Sequence, residues 1–105
     1  MINYNEMSDF EVNKLVAIEL LVDGGEAGWI DSHSQLVPEY CNNPADMWPI
    51  IVENNIDVIS PTSNGTEYWE AHKFFADVKI YPLSFLDKNP LRAAAIIFII
   101  MQEAK

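Results

Sequence analysis

The sequence predicts an α+β domain in which three helices pack on a small antiparallel sheet. Helix-start signals precede three segments of helical composition, which places helices at about 9–22, 44–54 and 90–103. An Asn-Gly pair lies between two short apolar segments and predicts a β-hairpin that joins 56–60 to 67–71. Helices that alternate with a hairpin in this order favour the α+β class.

Chain length and composition fit one compact domain. The chain has 105 residues, of which 50% are hydrophobic and 21% are charged. A chain of this size buries roughly two-thirds of the surface that its unfolded form exposes, so it can form a core without metal or disulfides. We therefore expect a single domain over residues 1–105.

The first predicted helix has clear signals at both ends. Ser8 and Glu11 form the Ser-x-x-Glu pattern of a capping box, and Met7 and Val12 stand where a hydrophobic staple closes around it. A Gly-Gly pair at 24–25 ends the helix. Apolar residues recur at helical spacing on one side. The wetter side is expected to carry Asn13, Lys14 and Glu19.

The second predicted helix begins at an Asn-Pro pair. Asn43 is expected to be the N-cap and Pro44 the first helical residue, where the missing N–H of proline costs nothing. Pro49 allows two interpretations, because a proline inside a helix forgoes a hydrogen bond and crowds the preceding turn. Either the helix is kinked at Trp48, or a short turn precedes a helix that begins near Pro49. The Asn-Asn pair at 54–55 suits the end of the helix, since Asn tolerates a left-handed backbone.

Two further segments are candidates for additional strands. The apolar residues around 78–81 favour a strand that Pro82 ends. The region 23–39 contains most of the glycines and alternates loosely between apolar and polar residues. That pattern is compatible with a short strand around Trp29 or Leu36.

The third predicted helix contains nine consecutive apolar residues, from Ala93 to Met101. Asn89 is expected to cap this helix and Pro90 to begin it. A membrane span needs about 20 apolar residues, and nine residues cover only about 14 Å as a helix, so the segment is too short to cross a bilayer. A helix that is apolar on nearly every side is a buried one. Because one small chain has difficulty covering every side, we also expect a homodimer through 90–103.

Arg92 is an unusual residue in the first turn of this helix. A cation at that position opposes the helix dipole. We therefore expect it to have a specific acidic partner, either Asp46 or Asp87. Replacement of Arg92 by Met should then lower the stability of the fold.

The charge of the chain disfavours several classes of partner. Sixteen acidic residues against six basic residues give a net charge of −10. Nucleic-acid affinity depends on Lys and Arg contacts to phosphates, and anionic membranes attract basic surfaces, so we expect neither partner. A protein that mimics DNA with its carboxylates is a weaker alternative function. Such a mimic needs its acidic residues on one face, whereas here they are spread along the chain. One cysteine and a first segment without basic and apolar signal character lead us to expect a cytoplasmic protein.

No residue pattern in the sequence points to catalysis or to a bound metal. His33, Cys41 and His72 are the available soft metal ligands, and they fall at no recognised zinc spacing. We expect a buried or half-buried thiol and two surface imidazoles instead. The sequence contains no phosphate-binding glycine loop and no basic stripe with interleaved aromatic residues. We therefore predict no metal and no cofactor, and an enzyme is the less favoured class.

Aromatic residues and an Asn-rich segment supply the candidate binding residues. Trp and Tyr dominate the buried area of small domains, but they are also enriched in interface hot spots. The candidates are Tyr40, Asn42, Asn43, Trp48 and Trp69. The favoured interpretation is a non-enzymatic protein that binds a protein partner, for which an acidic surface suits a basic protein. The alternative is a small-molecule-binding domain or enzyme with a pocket near Tyr40–Trp48 and Trp69.

Three segments carry a resemblance to a known family. They are Ser-Asp-Phe-Glu at 8–11, Asn-Asn-Pro-Ala-Asp-Met-Trp-Pro-Ile-Ile at 42–51 and Asn-Pro-Leu-Arg-Ala-Ala at 89–94. In order and spacing they resemble the NinX-like family of lambdoid phages and bacterial prophages, whereas 23–39 and 73–88 do not align. The resemblance implies an accessory protein encoded in a phage nin region and acting in the cytoplasm of the bacterial host. It implies no activity and supplies no catalytic residues.

Overall fold

The computed structural model describes residues 3–22, 37–73 and 83–103. The elements in chain order are a 3-10 helix at Tyr4–Glu6, α1 at Asp9–Val22, α2 at Pro44–Asn54, β1 at Asp57–Ile59, a one-turn α3 at Pro61–Asn64, β2 at Trp69–Lys73, β3 at Leu83–Asp87 and α4 at Pro90–Glu103. This arrangement confirms the predicted α+β class, and the three predicted helices are found with their predicted bounds.

Local capping signals fix the start of α1. The Ser8 hydroxyl accepts a hydrogen bond from the Glu11 N–H at 3.1 Å, and the Glu11 carboxylate accepts one from the Ser8 N–H at 3.1 Å, which confirms the capping box. The bond from the Ser8 N–H lowers the pKa of the Glu11 carboxyl.

The prediction that Asn13 lies on the wetter side of α1 is wrong. Asn13 is buried, because its amide bonds to the segment that precedes α2.

The second helix begins where the Asn-Pro pair predicts. Asn43 accepts a hydrogen bond from the Ala45 N–H at 3.0 Å, and the helix continues from Pro44 through Pro49. The interpretation in which the helix begins near Pro49 is therefore wrong. Asn55 ends α2 in the left-handed conformation, with φ of 53°. The residues that α2 buries are Met47, Ile50 and Ile51.

The three strands form an antiparallel sheet in the order β1-β2-β3. Val58 of β1 lies opposite Ala71 of β2, so the predicted hairpin is confirmed, although its second strand occupies 69–73 rather than 67–71. Strand β3 was not predicted, and it begins directly after the Pro82 that was expected to end a strand. The strands expected at 78–81 and around Trp29 or Leu36 lie outside the described residues.

The Asn-Gly pair makes the turn between α3 and β2. Gly65 has φ of +75°, a left-handed conformation that glycine adopts without steric cost. Its N–H donates to the Pro61 carbonyl at 3.0 Å. The tight-turn signal therefore ends a one-turn helix inside the hairpin connection rather than forming a two-residue loop.

The last helix is the centre of the molecule. α4 packs against α1, α2 and all three strands, and its residues are buried without interruption from Arg92 to Ile99. The expectation of a buried helix is therefore correct. Elements of the same chain already cover α4, which removes the reason for expecting a homodimer through 90–103, and the oligomeric state stays a prediction.

The core lies between α4, the inner sides of α1 and α2, and one face of the sheet. Its largest fully buried side chains are Phe98, Met47, Ile96, Ile97, Ile99, Val12, Val16 and Cys41. Met7 packs partly buried against this core, at the position expected for the hydrophobic staple. Within residues 3–22, 37–73 and 83–103, no helix has the length and apolar character needed to cross a membrane.

Candidate functional site

The three segments that carry the family resemblance meet in one polar cluster, which we call the polar junction. It connects the start of α1, the segment before α2, the end of β3 and the start of α4 through side-chain hydrogen bonds. Its members are Asp9, Asn13, Glu39, Cys41, Asn42, Asp87, Asn89 and Arg92. The hydrogen bonds of the junction therefore give a structural role to the polar residues of the three family segments.

Arg92 lies at the centre of the polar junction. Its Nη1 donates to Asp9 Oδ1 at 2.8 Å, and its Nε donates to Asp87 Oδ2 at 3.2 Å. Its Nη2 donates to the carbonyl oxygens of Tyr4 and Met7 at 2.8 and 2.6 Å. Only 7% of Arg92 is exposed, so these four acceptors compensate for the loss of hydration of its charge.

The prediction of an acidic partner for Arg92 is half right. Asp87 is confirmed as a partner, whereas Asp46 is wrong, because Asp46 Oδ2 accepts a hydrogen bond from the Glu39 N–H at 3.0 Å. Asp9 was missed. It lies 83 residues away along the chain, and its place in the first turn of α1 had a sufficient local explanation in the helix dipole.

Asn89 has two roles in the polar junction. Its Oδ1 accepts from the N–H groups of Leu91 and Arg92 at 2.9 and 3.3 Å, which confirms it as the N-cap of α4. Its Nδ2 donates to the Cys41 carbonyl at 2.7 Å and to Asn42 Oδ1 at 3.3 Å. One amide thus begins α4 and holds the segment before α2 against it.

Asn13 ties α1 to the same segment. Its Oδ1 accepts from the buried Cys41 N–H at 2.9 Å, and its Nδ2 donates to Glu39 Oε2 at 3.3 Å. Sequence reasoning missed this residue. The available signal was its position three and four residues before the apolar Val16 and Ala17, on the side of α1 that faces the core.

Cys41 is a packing residue with an unreactive thiol. Burial is the main cause that raises the pKa of the thiol to about 12, and the Asp9 carboxylate adds to it, whereas the Arg92 charge acts in the opposite direction. At neutral pH the thiol is therefore protonated and a poor nucleophile. The expectation of a buried thiol is correct. Among the described residues, no three or more His, Cys, Asp or Glu side chains are grouped so that they could hold a metal ion.

His72 is buried in β2, so the expectation of a surface imidazole is wrong at this position. Its Nε2 lies 3.2 Å from Asp57 Oδ2, and its Nδ1 lies 3.1 Å from Glu70 Oε2. Asp57 is the residue opposite His72 in the register of β1 and β2. The contact with Asp57 therefore links β1 to β2, whereas the contact with Glu70 lies within β2. His33 lies outside the described residues.

The five predicted binding residues fall in different environments. Tyr40 is buried, and this burial is the main cause that raises the pKa of its hydroxyl to about 12. Asn42 belongs to the polar junction, where its Nδ2 donates to an Asp9 oxygen, and Asn43 caps α2. Trp69 is half-buried in β2. Trp48, by contrast, leaves 59% of its surface in solvent.

Trp48 belongs to an exposed apolar surface, which we call the α2 apolar face. Ala45, Trp48, Pro49 and Val52 follow the i, i+3, i+4, i+7 spacing of one helical side, and all four are exposed. Val52 is 56% exposed. Because the other side of α2 contributes to the core, this helix is apolar on two sides. The spacing of its outer side is the one through which helices meet grooves in partner proteins.

The surroundings of the α2 apolar face are acidic. Asp46 and Glu53 lie on α2 itself, and no Lys or Arg occurs in the sequence between Lys14 and Lys73. Glu39 and Glu53 are both exposed. A partner segment that carries Lys or Arg beside apolar side chains would complement this surface in charge and in polarity.

Comparison with known proteins places the chain in a family. The features above define a small acidic α+β protein, built around one buried helix and fastened by a polar junction. The family model described as Bacteriophage P22, NinX matches residues 3–102, and the chain belongs to this phage protein family. The resemblance inferred from three segments is confirmed and extends to 23–39 and 73–88, which those segments left unaligned. No curated protein and no solved structure matches the chain.

Proposed function

We propose that this protein is a non-enzymatic phage accessory protein that acts in the bacterial cytoplasm by binding a protein partner through the α2 apolar face. The observation that carries the proposal is the exposure of Trp48, at 59%, on a helix whose opposite side is already in the core. Exposed apolar patches of this kind commonly mark interaction sites, and Trp is among the residues enriched in interface hot spots.

The chemistry of the face defines the partner. Trp48 and Val52 lie one helical turn apart and supply an apolar anchor, whereas the exposed Glu39 and Glu53 supply negative charge nearby. A basic segment with one or two apolar side chains matches both properties. Attraction between opposite charges would raise the rate of encounter, and burial of the Trp side chain would supply most of the affinity.

The polar junction supports this role by holding α2 in a fixed position. The Asn43 cap fixes the start of the helix, and Asn42 and Cys41 attach the preceding segment to α1 and α4. A binding helix that is already ordered loses little conformational entropy when a partner docks. The candidate residues in this segment would thus position the binding face, while Trp48 would make the contact.

Site-specific photo-crosslinking in host lysate tests the proposal. A crosslinking amino acid at position 52 should form an adduct with one basic protein. The same group at position 86 serves as the control, because Leu86 is an apolar residue that is 44% exposed on a different element, β3. Equal labelling of that protein from both positions would contradict the assignment of the face.

Two substitutions give a quantitative form of the same test. W48A should weaken binding of the crosslinked protein by about thirtyfold or more, because a hot-spot truncation typically costs about 2 kcal/mol or more. V52E should also weaken binding, because it places a charge in the apolar contact. L86A should leave binding unchanged. All three variants should unfold at nearly the same urea concentration as the wild type, since exposed positions contribute little to stability. Unchanged binding in W48A and V52E would refute the proposed function.

A further inference from the structure

A second surface, on α1, is also apolar on the side that faces away from the core. The inner side of α1 buries Val12, Val16 and Ala17, and the helix packs against α4. The outer side leaves Phe10 42% exposed and Ile18 40% exposed. A surface helix normally presents polar residues there, so this side of α1 has the composition of a contact surface.

A groove of about 310 Å³ follows this outer side of α1. Its lining residues are Met7, Glu11, Lys14, Leu15 and Ile18. One acid and one base make the groove neutral as a whole, in a chain whose net charge is −10. The net charge of the chain opposes self-association, whereas the charges that line the groove add nothing to that repulsion.

The order of residues along the groove is self-complementary. Within α1, Glu11, Lys14 and Ile18 are spaced three and four residues apart, as a and d positions are in a heptad. Met7 has an extended backbone before the helix and lines the groove near its start. If two copies of α1 pair antiparallel about the midpoint between 11 and 14, Glu11 faces Lys14 of the second copy, and Ile18 comes to the end of the groove at which Met7 of the second copy lies. Symmetry repeats each contact. A parallel pairing would instead place like charges together.

We propose that two copies of this chain form a symmetric, antiparallel dimer through the outer side of α1. Phe10 and Leu15 lie on the two flanks of the seam, where they extend the apolar contact. α1 has 14 residues and is therefore about 21 Å long, so one helix pair buries an area at the small end of specific interfaces. The dimer is accordingly weak, and it forms as the concentration rises.

Charge reversal combined with mixing provides a sharp test by sedimentation equilibrium of the full chain. K14E and E11K each place like charges in both central contacts, so each variant should dimerise about tenfold more weakly than the wild type, or worse. An equimolar mixture of the two variants restores opposite charges and should form a one-to-one heterodimer. K88E is the matched control, because it changes the net charge by the same amount as K14E at a position outside α1.

Folding effects are separated from dimerisation by two further measurements. E11K removes one bond of the capping box, so its helix content is checked by circular dichroism. I18E keeps both central charges and should also abolish the dimer by disrupting the apolar contacts. A wild type that stays monomeric at the highest concentration overturns the proposal. So does a K14E chain that dimerises as tightly as K88E, or a mixture that associates no better than either variant alone.

Discussion

A cation in the first turn of a helix needs a reason at the level of the single residue, because the helix dipole disfavours it there. For Arg92 the reason is the arrangement of its acceptors. The carboxylates of Asp9 and Asp87 lie 2.8 and 3.2 Å from its guanidinium nitrogens, and two backbone carbonyls complete the set. The side chain thus connects the start of α1 to the end of β3 and the start of α4.

Removal of this guanidinium should be among the more damaging substitutions in the chain. R92M should lower the free energy of unfolding by about 3–5 kcal/mol, because it leaves Asp87 Oδ2 and two backbone carbonyls without the donor that they share. Urea denaturation of R92M measures the effect. K88M is the control, since Lys88 is exposed and its contact over the Tyr68 ring at 5.9 Å is worth about 1 kcal/mol or less. A loss in R92M no larger than in K88M would contradict this account.

At the level of the secondary-structure element, the sequence predicts the starts of helices best, because their capping signals are local. The Ser8–Glu11 capping box and the Asn-Pro pairs at 43–44 and 89–90 each act within a few residues, and the structure confirms all three. Their outcomes do not depend on distant parts of the chain.

Features that depend on distant contacts were missed or assigned incorrectly. Asn13 looked like a surface residue, and although its position before Val16 and Ala17 placed it on the inner side of α1, its partner Cys41 lies 28 residues away. Strand β3 exists because β2 offers it an edge, and periodicity alone did not reveal it. In the candidate site, the sequence singled out Trp48 but could not separate it from Tyr40, whose ring is buried.

The two Asn caps differ in a way that can be measured at the level of the element. Asn43 contributes one hydrogen bond to the start of α2, so N43A should cost about 1 kcal/mol of stability. Asn89 caps α4 and also donates to the Cys41 carbonyl, so N89A should cost about twice as much or more. Thermal and urea unfolding of both variants measure the difference. Equal losses would show that the bonds from Asn89 to the segment before α2 do not contribute.

At the level of the whole molecule, the other elements pack around the buried helix α4. The polar junction fixes the positions of α1, the segment before α2 and the end of β3 relative to α4. The inner sides of α1 and α2 pack on α4, and their outer sides each leave large apolar side chains exposed. The two proposed association surfaces are therefore separate, one around Ile18 on α1 and one around Trp48 on α2. W48A and K14E should then act independently, the first on the partner protein and the second on self-association.

The dependence of stability on alkaline pH reports the burial of three titratable groups in different parts of the fold. Burial is the main cause that raises the pKa values of Tyr4, Tyr40 and Cys41 to about 12 in the folded chain, and for Tyr4 the bond to Glu103 adds to it. In the unfolded chain the pKa values are about 10 for Tyr and about 8.5 for Cys. The unfolded chain therefore releases these protons first as the pH rises.

The free energy of unfolding should consequently be insensitive to these three groups below about pH 8, and should fall steadily between about pH 8.5 and 12. Urea unfolding at a series of pH values measures the decline. C41A should have a lower free energy of unfolding at neutral pH, because it removes a buried side chain. Between about pH 8.5 and 10, where the unfolded thiol titrates first, its free energy of unfolding should fall by less than that of the wild type. Alkylation of Cys41 should be slow in the folded chain and fast in urea, since its thiol stays protonated until unfolding exposes it. A wild-type stability that stays level or rises over this range would mean that these groups are not buried as the fold requires.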